Sequence, residues 1–162
     1  MVTFIKKYTA YNYWATEQFN NILCSLSDEQ LTQKIESSFP SISATYMHLW
    51  DAQMVWQNRI NDIAITDWPS KSFNGSFAEA MTGMLESCEY FKLLGSNITE
   101  PELSKVIHYA TFAGMSTKST LLDILHHLMN HGTYHRGQLT TFLRQLGFTK
   151  IPSTDFITFT RL

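Results

Sequence analysis

The sequence is short of charged residues and long apolar runs, and both scarcities exclude classes of protein. Only 16% of the 162 residues are charged, the net charge is −2, and no run of Lys or Arg occurs. Nucleic-acid binding, which depends on clustered positive charge, is therefore not expected. The N-terminus has no apolar signal core and no apolar stretch is long enough to cross a bilayer. We expect a cytoplasmic protein without a membrane partner.

Cysteine is also scarce. The two cysteines, Cys24 and Cys88, lie far apart in sequence and form no CxxC pair. Isolated cysteines argue against a disulfide framework. We expect two reduced, mostly buried thiols.

Apolar residues, by contrast, are plentiful. Hydrophobic residues make up 44% of the chain and aromatic residues 14%. A chain of this length and composition can bury a substantial core, so we expect one ordered domain that comprises residues 1–162. Most of the aromatic side chains are expected in that core, and some in a pocket or a subunit contact.

Apolar residues at steps of three and four predict four helices. The first runs roughly from residue 3 to 25, the second from 42 to 63, and the third from Ser76 to about Gly95. The fourth begins near Leu121 and ends before Gly147, which has the position of a C-cap glycine. We therefore predict an all-α protein, an antiparallel four-helix bundle of the up-and-down kind.

The connections between these helices carry weaker signals. Ser27 and Gln30 have the spacing of a capping box, which predicts a short helical turn. Residues 99–117 are typical of irregular chain or a short extended pair, and this long connection can cross the end of the bundle. The tail after Pro152 is predicted to be extended.

Histidines on the fourth predicted helix are the main chemical signal. His127, His131 and His135 follow one another at steps of four residues. Two imidazoles one turn apart can bind a single ion, but three spread over about 11 Å of helix cannot easily do so. His131 and His135 also lie on the apolar stripe, where imidazoles without partners are costly. This favours a metal site, with His127 nearby or at the surface.

A tight site needs another ligand from a different helix. His48 is the only histidine on the other three predicted helices, and its small neighbours Ala44 and Ala52 permit close helix packing. The candidate ligands of one divalent metal ion are therefore His48, His131 and His135. Three imidazoles leave at least one coordination position open.

Further blocks of sequence accompany these histidines in a characteristic order. They are Tyr11–Ala15, Phe39–Ile42 followed by His48, Trp56 with Arg59, Asn130–Leu139, and Asp155 after Pro152. In order and spacing these blocks resemble the DinB/YfiT-like metalloenzyme family over nearly the whole chain. The resemblance implies a four-helix bundle whose metal ion is held at His48, His131 and His135.

The resemblance also implies a range of activities. Members of this family include thiol-dependent transferases and isomerases that use low-molecular-weight thiols, and homodimers occur among them. Three neutral imidazoles leave the charge of the ion uncompensated, so that bound water or thiol becomes more acidic. We expect a hydrolase-like or thiol S-transferase-like enzyme that acts on a small molecule, as a homodimer. Zn and Ni are the expected ions, although Cu and Fe also suit imidazole.

Other polar residues near the motif have several interpretations. Asp51, one turn after His48, is the candidate catalytic carboxylate, and the alternative is a solvated or packing residue. Arg136 and Gln138 either orient the ligands or fix helix packing, and packing is the simpler interpretation. The alternative function is a non-catalytic bundle in which the ion joins two helices or is sensed.

Overall fold

The computed structural model describes residues 1–162, and its main elements are four long helices. These are α1 (Val2–Leu23), α3 (Ile42–Ile60), α4 (Phe77–Asn97) and α6 (Leu121–Gln145). The shorter elements are α2 (Asp28–Thr32), a 3₁₀ turn (Pro69–Ser72), α5 (Glu100–Leu103), β1 (Val106–Ala110), β2 (Ser116–Thr120) and α7 (Phe156–Phe159). The four predicted helices are confirmed, with ends displaced by less than one turn.

Side-chain caps explain where the long helices begin. Ser41 Oγ accepts a hydrogen bond from the Ala44 backbone at the start of α3. Ser76 and Glu79 form a reciprocal capping box at the start of α4, and Ser27 and Gln30 form another at α2. These caps satisfy backbone donors that have no partner within the helix.

The order of the helices around the bundle differs from a simple up-and-down arrangement. Both α1 and α3 pack against α4 and α6, so α1 and α3 lie diagonally opposite each other. In an up-and-down bundle these two consecutive long helices would be neighbours. The connection that contains α2 lets the chain pass across the end of the bundle. The predicted four-helix bundle is confirmed, but the up-and-down arrangement predicted for it is wrong.

Contacts between named side chains give the directions of the helices. Asn12 reaches Cys88 whereas Asn20 reaches the Met81 carbonyl, so α1 and α4 are antiparallel. On the other side of the bundle, α3 and α6 are also antiparallel, because His48 lies beside His131 and Trp56 beside the earlier His127.

The core consists of two apolar clusters separated by buried polar groups. One cluster includes Phe19, Tyr46, Met84 and Leu139, and the other includes Ile5, Phe91, Leu125 and Leu128. Between them along α1, α4 and α6 lie the buried side chains of Asn12, Thr16, Cys88 and Arg136. This polar layer connects through hydrogen bonds from Asn12 to Cys88 and from Cys88 to Thr16.

The segment before α6 is an antiparallel hairpin, so of the two alternatives predicted for residues 99–117 the extended pair is correct; the short helix α5, which precedes the hairpin, was not predicted. Val106 of β1 lies opposite Thr120 of β2, and Gly114 adopts a φ of +80° in the turn. A left-handed conformation of this kind favours glycine. The hairpin packs against α3 and leads directly into α6.

Two further predictions, one about the C-terminal tail and one about the cysteines, are wrong in part. The tail is not wholly extended, since Phe156–Phe159 form the short helix α7, whose two aromatic rings lie against Tyr11. Cys24 is exposed, because it follows the last residue of α1 beyond the buried stripe, whereas Cys88 is buried as expected. None of the helices combines the length and apolarity that a bilayer span requires.

Candidate metal centre

The three predicted ligands lie together between α3 and α6. One ring nitrogen from each of His48, His131 and His135 lies within 4.8 Å of the others. The Nε2 atoms of His48 and His131 are 3.0 Å apart. His131 and His135 are one helical turn apart, and the antiparallel packing of α3 places His48 across from both. A tetrahedral zinc site would hold its nitrogens about 3.3 Å apart, so this donor set fits one ion with small shifts.

Burial keeps the three imidazoles neutral. Desolvation, together with the neighbouring histidines, lowers the pKa of His48 to about 4 and that of His131 to about 3. Desolvation also lowers the pKa of His135, against the opposing effect of its hydrogen bond to Gln138. A neutral imidazole offers a nitrogen lone pair, which is the form that binds a metal ion.

Gln138 selects the tautomer of His135. Its Oε1 lies 2.7 Å from His135 Nδ1. Because an amide oxygen only accepts hydrogen bonds, Nδ1 carries the proton and Nε2 has the free lone pair. Gln138 therefore orients His135 toward the centre of the triad, which is one of the two roles predicted for it.

Arg136 fixes helix packing, the other predicted role, on the face of α6 that packs against α1. Its guanidinium is buried, donates from Nη1 to Asn12 Oδ1 at 2.8 Å, and lies 5.5 Å from the Tyr11 ring. A Cβ atom on Gly132 would lie within 2.9 Å of both Asn12 Oδ1 and Arg136 Nη1, so glycine permits this close approach. Arg136 packs α6 onto α1 and thereby fixes the rotation of the helix that carries the two histidines.

Aromatic side chains surround the histidines. Phe39 stacks on the His48 ring at 4.2 Å and meets the edge of His135 at 5.6 Å. Trp68 lies 5.9 Å from His48, and Tyr134 lies 5.0 Å from His135. Phe39 and Trp68 reduce the contact of the His48 ring with water, and this desolvation is the main cause of its lowered pKa.

His127 lies beside the triad and outside it. Its ring is 5.5 Å from that of His131 and 5.7 Å from that of Trp56, and the residue is exposed. It has no place among the converging ring nitrogens. This agrees with its predicted position near the site or at the surface.

Asp51 is engaged by a neighbouring turn. The buried carboxylate accepts hydrogen bonds from the Ser70 backbone at 2.7 Å and from Ser70 Oγ at 2.6 Å, one on each oxygen. Burial raises the pKa of Asp51, against the effect of these two bonds. The contacts hold the turn Pro69–Ser72 on α3, directly after Trp68. The catalytic role of Asp51 stays a prediction.

Trp68 is part of the site, and the sequence did not predict this. The Trp68–Pro69 pair indicates the end of a helix and a loop, but nothing in the local pattern predicts which surface that loop covers. The hydrogen bonds between Ser70 and Asp51, together with the contact between Trp68 and Phe112, hold Trp68 near His48. The available signal was Asp51, a carboxylate one turn after the candidate ligand His48. A carboxylate at this position is consistent with two roles, an anchor for a neighbouring turn and a base.

The fold and the site together define a four-helix bundle with a three-histidine candidate centre for a divalent metal. The model of the DinB family matches residues 1–161. Protein DinB of Bacillus subtilis (strain 168) is 31% identical over 163 residues, which cover 96% of this chain and 93% of that protein. The chain belongs to the DinB family.

Solved structures agree with the fold. A DinB-like protein from Bacillus cereus has a TM-score of 0.62 and 24% identity, with 86% of this chain and 89% of that chain covered. YfiT from Bacillus subtilis, described as a probable metal-dependent hydrolase with an unusual four-helix bundle topology, has a TM-score of 0.67 and 13% identity, with 88% and 87% covered. A DinB-like protein from Bacillus subtilis gives 0.62 and 17%, with 95% and 96% covered.

The buried imidazoles predict how stability depends on pH without metal. Since the folded pKa values of His48 and His131 lie below the ordinary 6.5, the unfolded chain binds more protons as the pH falls toward 4. The free energy of unfolding should therefore decrease on acidification through this window. Denaturant unfolding in a chelator at about pH 7.5 and about pH 5 measures it. His131→Gln should weaken the dependence and the exposed His126→Gln should not; equal dependences in all three proteins would contradict it.

Proposed function

We propose that this DinB-family protein is a divalent-metal-dependent enzyme that acts on a small molecule, with His48, His131 and His135 as the metal ligands. The observation that carries the proposal is the convergence of three neutral imidazole nitrogens within 4.8 Å. Three protein ligands with an open position are the arrangement of catalytic zinc sites, whereas structural zinc sites are closed by four protein ligands. Zn and Ni are the proposed ions.

The reaction is proposed to be hydrolase-like or thiol S-transferase-like. When bound, the ion would lower the pKa of a coordinated water or thiol and so supply a nucleophile near neutral pH. The likeness to YfiT, described as a probable metal-dependent hydrolase, supports the first alternative. The thiol alternative, with a low-molecular-weight thiol as cosubstrate, follows from the family resemblance. Phe39 and Trp68 would limit access of water in either case.

The proposed reaction does not require acid–base catalysis by Asp51. Each of its oxygens accepts a hydrogen bond from Ser70, and these bonds fix the carboxylate on the turn and stabilise its ionised form. Activation of the nucleophile by the ion alone requires no carboxylate. Asp51 is therefore proposed first as the residue that positions the turn after Trp68.

A non-catalytic metal-binding bundle is the second candidate function. The observation that favours it is the absence of a freely accessible carboxylate among the residues that cluster at the triad. The two apolar clusters of the core argue against an ion that is needed only for folding. We further propose a cytoplasmic homodimer, and the exposed apolar side chains of Phe4, Ile157 and Leu162 support a subunit contact.

Metal content tests the ligand assignment. Protein purified without a His-tag or chelating column should contain about one divalent ion per chain, since three imidazoles and one open position form a single site. His131→Ala should lose most of the ion, and His126→Ala, a matched change at an exposed histidine of the same helix, should keep it. Elemental analysis of the three proteins gives the stoichiometry. Substoichiometric metal in the wild type under all loading conditions would contradict the assignment.

Gln138→Leu tests whether the hydrogen bond to His135 contributes to metal affinity. Loss of the partner of Nδ1 frees the imidazole to rotate and to change tautomer, so we expect about 10- to 100-fold weaker binding. Competition with a chelator measures the affinity. The control is Gln145→Leu, the same change at an exposed position of α6. Equal affinities of the two variants would show that Gln138 does not orient the ligand.

Removal of the metal separates the two candidate functions. Melting and turnover should be followed before and after chelation, on a panel of ester and thiol-acceptor substrates. The enzyme predicts lost turnover and a fold that survives, because the apolar core is independent of the ion. Collapse of the fold, with no activity under any metal, would favour the structural role.

A further inference from the structure

Asn74 and Gly75 form the one Asn-Gly pair in the sequence, and they lie in the loop between the 3₁₀ turn Pro69–Ser72 and α4. Both residues are exposed. The Asn74 side chain makes a single hydrogen bond, from Nδ2 to the Ser72 carbonyl at 3.2 Å. The backbone nitrogen of Gly75 donates no hydrogen bond within the protein. The structure therefore places an uncommitted backbone nitrogen directly after an exposed side-chain amide.

Packing requires glycine at position 75. A Cβ atom there would collide with the Phe73 ring and would lie 2.9 Å from Glu79 Oε2. Glu79 is held in place, because its carboxylate accepts hydrogen bonds from the backbone nitrogen and the hydroxyl of Ser76 in the capping box of α4. Phe73 in turn packs against Trp50, with ring centroids 4.9 Å apart. Because glycine has no Cβ, nothing on residue 75 hinders the approach of its nitrogen to the preceding side chain.

The other asparagines have different surroundings. Within a helix, the backbone nitrogen of the following residue is committed to the hydrogen-bond ladder. Asn97, the last residue of α4, is exposed like Asn74, but it precedes the buried and β-branched Ile98. Each of the other asparagines lies in a long helix or directly after one, and none precedes glycine: Asn12, Asn20, Asn21, Asn58, Asn61, Asn97 and Asn130.

We propose that Asn74 deamidates in the folded protein through a cyclic imide with Gly75. The Gly75 nitrogen attacks Asn74 Cγ and forms a bond to it, and the Cγ–Nδ2 bond breaks with release of ammonia, which carries away the proton of the attacking amide. Water then opens the imide at either carbonyl. One opening leaves aspartate at position 74, and the other leaves isoaspartate, in which the main chain runs through the side-chain carbon. Water is the only co-reactant.

The isoaspartate product changes contacts that hold this loop on the bundle. Its main chain is one carbon longer between positions 74 and 75, where the Phe73 ring lies against Gly75. In both products the amide donor to the Ser72 carbonyl is lost, and a carboxylate takes its place. Since Phe73 is half-buried and packs on Trp50 at the edge of the core, we expect the conversion to weaken this contact.

Peptide mapping of protein aged at neutral and at mildly alkaline pH tests the proposal. Trypsin isolates Asn74 in the peptide 72–92 and Asn97 in the peptide 93–105. The first peptide should gain the mass difference between an amide and an acid and separate into an aspartyl and an isoaspartyl form, faster at the higher pH, whereas the second should stay unchanged. In folded protein the rate should lie within about tenfold of the rate in urea, since an exposed loop opens at little cost in free energy.

Asn74→Gln is the control variant, because attack on its longer side chain would form a larger and less favourable ring. Aged Asn74→Gln should keep the mass of the peptide 72–92 and its melting temperature, whereas the melting temperature of the wild type should fall as the isoaspartyl form accumulates. A slower rate in folded protein than this range, or equal conversion of Asn97, would overturn the proposal. Conversion without a fall in the melting temperature would overturn the expected weakening of the contact between Phe73 and Trp50.

Discussion

The packing of α3 against α6 is the constraint on which the candidate site depends. Two imidazoles on one helix can be placed by helical spacing alone, but the third must come from another backbone in the correct direction and register. The antiparallel contact places His48 across from both His131 and His135, with Nε2 atoms of the first pair 3.0 Å apart. A shift of α3 along its axis by one turn, about 5.4 Å, would move His48 out of reach of His131 and His135.

The rotation of α6 is set on the side away from the histidines. There the buried guanidinium of Arg136 binds Asn12, and Gly132 allows the two helices to approach. A buried cation without a carboxylate is costly to desolvate, so Arg136 depends on its hydrogen bonds to Asn12 and Thr133. The hydrogen bonds of Arg136 nevertheless favour one rotation of α6. In this rotation the adjacent residue His135 faces α3, and Gln138 orients its ring. Helix packing and ligand geometry are thus parts of one network.

Much of the fold follows from local patterns. Apolar periodicity and the Ser76–Glu79 capping box define the long helices, because both act within a few residues of chain. The neighbour order of the helices does not follow, since equal apolar stripes can pack in several orders. The short helix Phe156–Phe159 was missed for a related reason: its rings are ordered by contact with Tyr11, far away in sequence. Exposure of Cys24 likewise depends on where α1 leaves the core.

The sequence by itself determined the identity of the three candidate ligands, because histidine spacing on one helix and a single histidine elsewhere left few combinations, and the family resemblance selected among them. Tertiary structure decided their surroundings. It bound Asp51 to Ser70, brought Trp68 beside His48, and packed Arg59 against Trp56 and the hairpin. Helical spacing acts over one or two turns, whereas these contacts join segments whose meeting depends on the path of the whole chain.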